Sequence, residues 1–359
     1  MQMIHNSMVD YKRTTAAEIL KGHTASDDVV SSEVLRTVAV GLQTAKTPAN
    51  NDAVGICRSG KGSGVQWWHV DSNGNELALE KSWFNAHKVF GNVKTVIVDG
   101  QEMVWVPAFY YKVANTPTGC DHPNCKTRWI SSTQIDSSWR LHPAFMKNGV
   151  AIAGFYVGAY KATEDAGGTK MGSIGVEALM VSKTAAQFES LANARNGNGI
   201  TGFKVWSFYE LAAIQFLCHI EMKGADSQTL IAPGHVNGTA CVPPNDPLEI
   251  AASYRGIYGL WGNAYQYVQG FQCDTETGYL KIWDRQGNQT YVTTTELYNG
   301  MADEASSGWI NDFEESEDDP TNPTWSFKDR NNFSYEDVLV KFRELLETPY
   351  LKKIGQSAA

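Results

Sequence analysis

The chain has 359 residues, 42% hydrophobic and 11% aromatic, enough to fill a sizeable core, while charged residues make up only 19% against 32 glycines. A formal net charge of -9 with no Lys/Arg block argues against a dedicated nucleic-acid binder. The 6 cysteines are too sparse for a disulfide scaffold, and no apolar run approaches the roughly 18 residues of a membrane helix.

Residues Met1 to Asp10 show no positive n-region followed by an apolar stretch, so the chain is expected to be made and folded in a cytoplasm. Thr14 to Leu20 and Ser26 to Ala45 carry helical patterning. Val30, Val34, Val38 and Leu42 form one stripe, and Ser26-Asp27-Asp28 supplies an N-terminal signal. Residues 1–50 are therefore expected to form a helical arm, for attachment or oligomerisation or for packing on its own domain. Thr47 to Asp52 reads as a linker.

Residues 51–115 read as a β-rich segment leading into the core. Val65 to Val70 is an expected strand, followed by the turn Asp71-Ser72-Asn73-Gly74-Asn75, whose oxygens also have the composition of a calcium loop. Lys94 to Val98 and Met103 to Val106 flank Asp99-Gly100, a type I′ hairpin pair, and Ala108 to Val113 extends the β pattern.

Residues 116–300 are expected to hold the main domain. Gly154 to Ala162 reads as a strand, Thr184 to Arg195 as a helix ended by Asn196 to Gly199, and Ser207 to Lys223 as the longest helix. The broad apolar stripe of that helix predicts deep burial, with Cys218 as a small core residue and His219 in a structural role. Lys281 to Trp283 and Gln289 to Thr293 flank the turn Asp284 to Asn288. Residues 301–359 combine an acidic loop around Glu314 to Asp319 with an amphipathic helix over Ser334 to Ile354.

Three segments resemble one family. Gly154 to Thr163 (GFYVGAYKAT) is similar to an early strand of formylglycine-generating-enzyme-like domains. Trp206 to Ala213 (WSFYELAA) resembles a helix of theirs, and Tyr254 to Gly270 (YRGIYGLWGNAYQYVQG) resembles their aromatic-glycine signature. Phage tail-fibre-type members are closer, through Trp105 to Tyr110, His142 to Gly149, Asp226 to Gly238 and Lys281 to Gln289. The resemblance covers roughly residues 100–300 and implies an α+β, C-type-lectin-like fold of short strands with two helices. In the signature, glycines permit positive φ, Asn263 is expected to bond locally, and Tyr265 and Tyr267 are expected to alternate along a strand.

The same resemblance implies a phage virion protein, a tail-associated adhesin made in the host cytoplasm. Its expected partners are other virion proteins, sister copies and a host glycan or protein, without nucleic acid or membrane insertion. A structural virion component without receptor contact is the first alternative. An oxidase of the formylglycine-generating class is the second. That enzyme needs a cysteine pair late in the chain, and here Cys273 is the only cysteine beyond the signature. No catalytic residue or cofactor is therefore expected. In diversity-generating relatives the ligand face lies late in the fold, where Trp283, Tyr291, Trp309, Asn311 and Trp325 have the composition for it, although the chain lacks their closing "GFR" strand. Each of these aromatics also suits core packing. Cys120, His122 and Cys125 form a metal candidate with three ligands. The same residues also read as free thiols, or as a disulfide formed after release.

Overall fold

A computed structural model describes residues 51–58, 66–197, 199–224, 227–235, 240–264, 266–273 and 279–297, and the backbone of residues 313–315 and 325–327. The expected arm at 1–50 and the helix at 334–354 lie outside the described residues, as does the acidic run beyond Glu315. The described residues belong to one unit beginning at Ala49. It is α+β, with small antiparallel sheets and few helices.

The first sheet is built from β1 (Val54–Arg58), β2 (Trp67–Val70), β3 (Glu76–Leu77), β6 (Tyr110–Asn115), β7 (Lys126–Ser131) and β8 (Arg140–Leu141). Their order across it is β3-β2-β1-β7-β6-β8. The turn before β3 is an Asx turn. Asp71 accepts hydrogen bonds from the backbone of Asn73 and Asn75 (both 2.9 Å) and from the Asn75 amide, so its carboxylate is engaged by the loop itself.

The second sheet is built from β4 (Lys94–Val98), β5 (Gln101–Pro107) and β11 (Gly154–Gly158), in the order β11-β5-β4. Val98 pairs directly with Gln101, and Asp99 (φ 52°) and Gly100 (φ 71°) between them have the positive φ of the type I′ hairpin that their sequence predicts. Strand β11 stops at Gly158, short of the expected Ala162. The division expected at residue 115 runs through this fold. β1 pairs with β7, and β5 pairs with β11, so residues 51–115 share both sheets with strands from later in the chain. Alternation along a strand reports which face is buried; it carries no information on which distant strand lies alongside. Two short pairs, β9 (Met146–Lys147) with β10 (Val150–Ala151) and β12 (Thr163–Glu164) with β13 (Met171–Gly172), flank β11 in sequence.

Helix α1 (Lys81–Ala86) packs Phe84 inward, and α2 (Ala185–Asn193) starts at a Thr184/Gln187 capping box. Helix α3 (Phe208–Met222) starts at a second box, Ser207 with Glu210, and ends at Lys223 in the left-handed conformation (φ 54°). It is the buried centre of the molecule. Every residue from Leu211 to Ile220 is buried, including Cys218 and His219. Its buried residues belong to one cluster with Val54, Ile56, Tyr111, Ile130, Phe145, Phe155 and Val157, so one core joins the helix to both sheets. A short helix α4 (Pro247–Ala251) and the hairpin β15 (Tyr279–Trp283)–β16 (Tyr291–Leu297), with β14 (Phe271–Cys273) beside β15, complete the body.

The described residues of 254–270, all but Tyr265, are irregular. They hold bridges at Tyr254↔Ile257 and Ser207↔Gln269, and no helix or ladder. Tyr265 of the expected alternating strand lies outside the described residues, and Ala264, Gln266 and Tyr267 are not in a strand. Gln266 instead folds back, its amide donating to the carbonyls of Gly259 (3.2 Å) and Leu260 (3.1 Å), and Val268 is the residue that is buried. A strand there would have left those turn carbonyls without donors. No described helix is long and apolar enough to cross a membrane.

Candidate functional site

A cleft of about 630 Å³ lies against β11, α2 and the irregular segment 257–267. Its size falls in the range of small-molecule and peptide pockets. Tyr160 and Tyr258 border it with ring centroids 5.0 Å apart, as do Phe188 and Tyr267 at 5.9 Å. Trp206 also borders it, fixed by an indole N–H bond to the Tyr267 carbonyl (2.8 Å). Polar groups line it as well. Lys204 donates to both oxygens of Glu210 at 2.7 Å, and Arg195 bonds the Met171 carbonyl and Asp99.

The wall nearest the irregular segment rests on a buried ion pair. Lys161, just beyond β11, donates to Glu249 of α4 at 2.7 Å. Burial pulls the Lys161 ammonium below the usual lysine range, with Glu249 working against that. Gly259 lies on the pair with φ +63°. A Cβ there would run into Glu249 Oε2 and stand 2.9 Å from Lys161 Nζ. The turn is tied down on both sides, by Tyr258 N to Ala159 O (2.7 Å), Gly259 N to Glu249 O (2.9 Å) and Leu260 N to Ala252 O (2.9 Å).

Two more anchors hold the same segment. Arg255 (φ 46°) and Gly256 (φ 87°) form a two-residue turn closed by Tyr254 and Ile257, and the Arg255 guanidinium grips both oxygens of Glu221 at 2.6 and 2.7 Å. Asn263 (φ 60°) bonds outward. Its side chain exchanges a pair of hydrogen bonds with the Val242 backbone (2.9 and 3.0 Å), 21 residues away in sequence. The local bond expected of Asn263 is thus replaced by one to a neighbouring loop, because Val242 offers a donor and an acceptor together where the turn's own groups are already engaged.

Trp283 is 9% exposed and borders the cleft, with its ring over Gly270 and Lys204 Nζ 5.9 Å from the ring centroid. It is part of the core cluster, and its carbonyl accepts from Tyr209. Tyr291 is 39% exposed, 6.3 Å from Trp283 between centroids. Trp309 and Asn311 lie outside the described residues. Trp325 falls in β18 (Trp325–Phe327), which pairs with β17 (Phe313–Glu315). The described part of the expected ligand face thus reduces to the single ring of Tyr291 beside a buried Trp283.

The metal candidate is not assembled. His122 stacks on Trp68 at 3.9 Å and bonds Glu76 at 3.0 Å. Cys120 donates to the Pro117 carbonyl, and Cys125 packs into the cluster that holds Cys57. Among the described residues no three His, Cys, Asp or Glu side chains are grouped to hold a metal ion. His219 lies beside Arg128, with burial and that charge holding it well below the usual histidine range, while Glu221 serves Arg255. The two residues point apart, as their spacing predicts.

Sequence reasoning missed Lys161, Glu249 and Gln266. The available signal was a lone lysine inside an aromatic, glycine-flanked run, and nothing in the sequence points to its partner 88 residues on. No protein-family model matches the chain, and no curated protein matches it.

Proposed function

We propose that the chain is a phage virion adhesin whose body is a C-type-lectin-like domain without catalytic activity. The observation that carries this reading is the meeting of the three segments behind the family resemblance. Residues 154–163 bond the turn through Ala159 and Tyr258, and through Lys161 and the Glu249 on which Gly259 rests. Residues 206–213 bond its other end, where Phe208 N donates to Gln269 O (2.9 Å) and Gln269 N to Trp206 O (3.0 Å). A glycine-aromatic turn that organises the domain is what the resemblance implies for all three.

The sequence supports a role other than that of the related oxidases, because it has one cysteine beyond the signature where they need two. Attachment by several copies would make weak single contacts effective. The test is binding of the purified chain to bacterial surface preparations and to arrayed glycans. Saturable binding, weakened by Tyr291→Ala with unfolding unchanged, supports the adhesin. Absence of binding in every format, including a multivalent one, replaces it with a structural virion component.

A further inference from the structure

Among the described residues β11 ends its sheet, so one of its two sides lacks a strand partner there. The register identifies the backbone groups left over. Phe155 faces Val106 and Val157 faces Val104. Just beyond the strand ends, Ala108 N donates to Ala153 O (2.8 Å) and Ala159 N to Glu102 O (2.9 Å). Antiparallel ladders alternate bonded and non-bonded pairs, so the odd-numbered residues of β11 are the ones bonded to β5. Pro107, opposite Gly154, has no N–H to offer and fits the same phase. Gly154, Tyr156 and Gly158 therefore turn their N–H and C=O groups the other way. Among the described residues they meet no hydrogen-bonding partner there.

That side opens into the cleft. Phe155 and Val157, which point into the core, and Tyr156 and Gly158, which point away from it, all border the same space. A strand shows both faces to one cavity along its edge. The edge is also unguarded. Gly-Phe-Tyr-Val-Gly carries no charge and no proline, its register with β5 has no bulge, and Tyr156 is 51% exposed. Natural proteins protect open edges by those devices unless the edge is used.

We propose that the free edge of β11 is a docking site for an extended segment of another polypeptide, which adds to the sheet as a fourth strand. The edge offers partial positive and negative charge alternately, repeating about every 7 Å between like-facing residues. A second main chain carries the complementary groups at that repeat, and a sugar does not. Aromatic rings beside the edge, Tyr156 against Trp105 and Tyr160 against Tyr258, supply seats for alternate side chains of the added strand. The site does not depend on the adhesin reading, since a chain that binds no cell surface keeps the same edge.

The test selects a displayed library of random heptapeptides against the full chain, then titrates the enriched peptides with and without single N-methyl amides. N-methylation at every second residue weakens binding at least about tenfold, the size of a lost main-chain hydrogen bond, and the residues between tolerate it. Tyr156→Pro weakens binding similarly at an unchanged unfolding temperature. Since that change acts on the strand itself, hydrogen exchange at the Tyr156 and Gly158 amides of the unaltered chain gives a second readout: fast when free, slowed by the peptide. Failure to enrich any peptide overturns the proposal. So does N-methyl sensitivity without alternation, or exchange at those amides that is already slow in the free chain.

Discussion

Lys161 Nζ lies 2.7 Å from Glu249 Oε2, and both side chains are buried against the backbone of Gly259. Neither charge has solvent to fall back on, and among the described residues Glu249 Oε1 has no hydrogen-bond partner. Removing one member strands the other in a low-dielectric setting, which costs about 3–5 kcal/mol, whereas replacing both with apolar groups is often close to neutral. Lys161→Met and Glu249→Leu should each lower stability by that order in urea titrations. The double variant should lose much less than the two combined. Additive losses under about 1 kcal/mol would mean that the pair behaves as a surface ion pair.

The same contact explains the glycine at 259. Any side chain there meets the ion pair and must hold φ near +63°. Gly259→Ala should therefore cost on the order of 1–3 kcal/mol, from the left-handed backbone and from displacement of Glu249. Gly119→Ala is the control, because a Cβ at that position has nothing within 4 Å. Its effect should stay within about 0.5 kcal/mol. Equal unfolding midpoints for the two variants would show that Gly259 does not bear on the pair.

Local features of this fold are legible in the sequence, and long-range ones are not. Asp99-Gly100 specifies its turn because both positions need positive φ, and the broad stripe from Phe208 to Ile220 reports a helix covered on most sides. The 284–288 turn is readable for the same reason: it lies between two strands that pair with each other. By contrast, β1 lies between β2 and β7, and no periodicity states that choice. Trp283 and Tyr291 are alike in composition, yet one is covered and the other half open. Which ring is covered depends on Gly270, Lys204 and Tyr209, all distant in sequence. Lys161 and Glu249 could not be paired from spacing, since 88 residues separate them.

His142 makes stability depend on pH. Its ring is fully buried among Phe109, Tyr111, Phe145 and Phe216, with centroids 5.3 to 6.0 Å away, and Nδ1 accepts from Ala144 N. Burial, helped by the Arg285 charge, pushes its pKa down to about 3. The folded chain thus keeps His142 neutral where the unfolded chain protonates it. The stabilisation is complete above the unfolded value, near 6.5, and is lost progressively as pH falls towards 3. Over that window this one group should contribute a slope on the order of 1 kcal/mol per pH unit. His69 and His87 are lowered by burial too and steepen it. His142→Asn keeps an acceptor for Ala144 and removes the titration, so denaturation from pH 6.5 to 4.5 should show a flatter slope by about one proton. An unchanged slope would place the acid sensitivity elsewhere.

Asn263 offers the sharpest test of the signature turn. Oδ1 accepts from Val242 N at 2.9 Å and Nδ2 donates to Val242 O at 3.0 Å, while its backbone sits at φ 60°, which asparagine tolerates better than most residues. Asn263→Ala loses both bonds and strains the backbone, for an expected cost of about 2–4 kcal/mol. Asn263→Asp keeps the bond from Val242 N but sets a carboxylate oxygen against the Val242 carbonyl. That repulsion raises the folded pKa of the new carboxyl above its unfolded value, because only the protonated form donates to Val242 O. The Asp variant should therefore be most deficient at neutral pH and recover as pH falls through the raised value, whereas the Ala deficit stays level. Hydrogen exchange separates the two again, since the Val242 amide remains protected in the Asp variant and opens in the Ala variant. Equal protection of that amide in both, or deficits with the same pH course, would show that Asn263 acts through its backbone angle alone and not as the tie between the turn and the 240–242 loop.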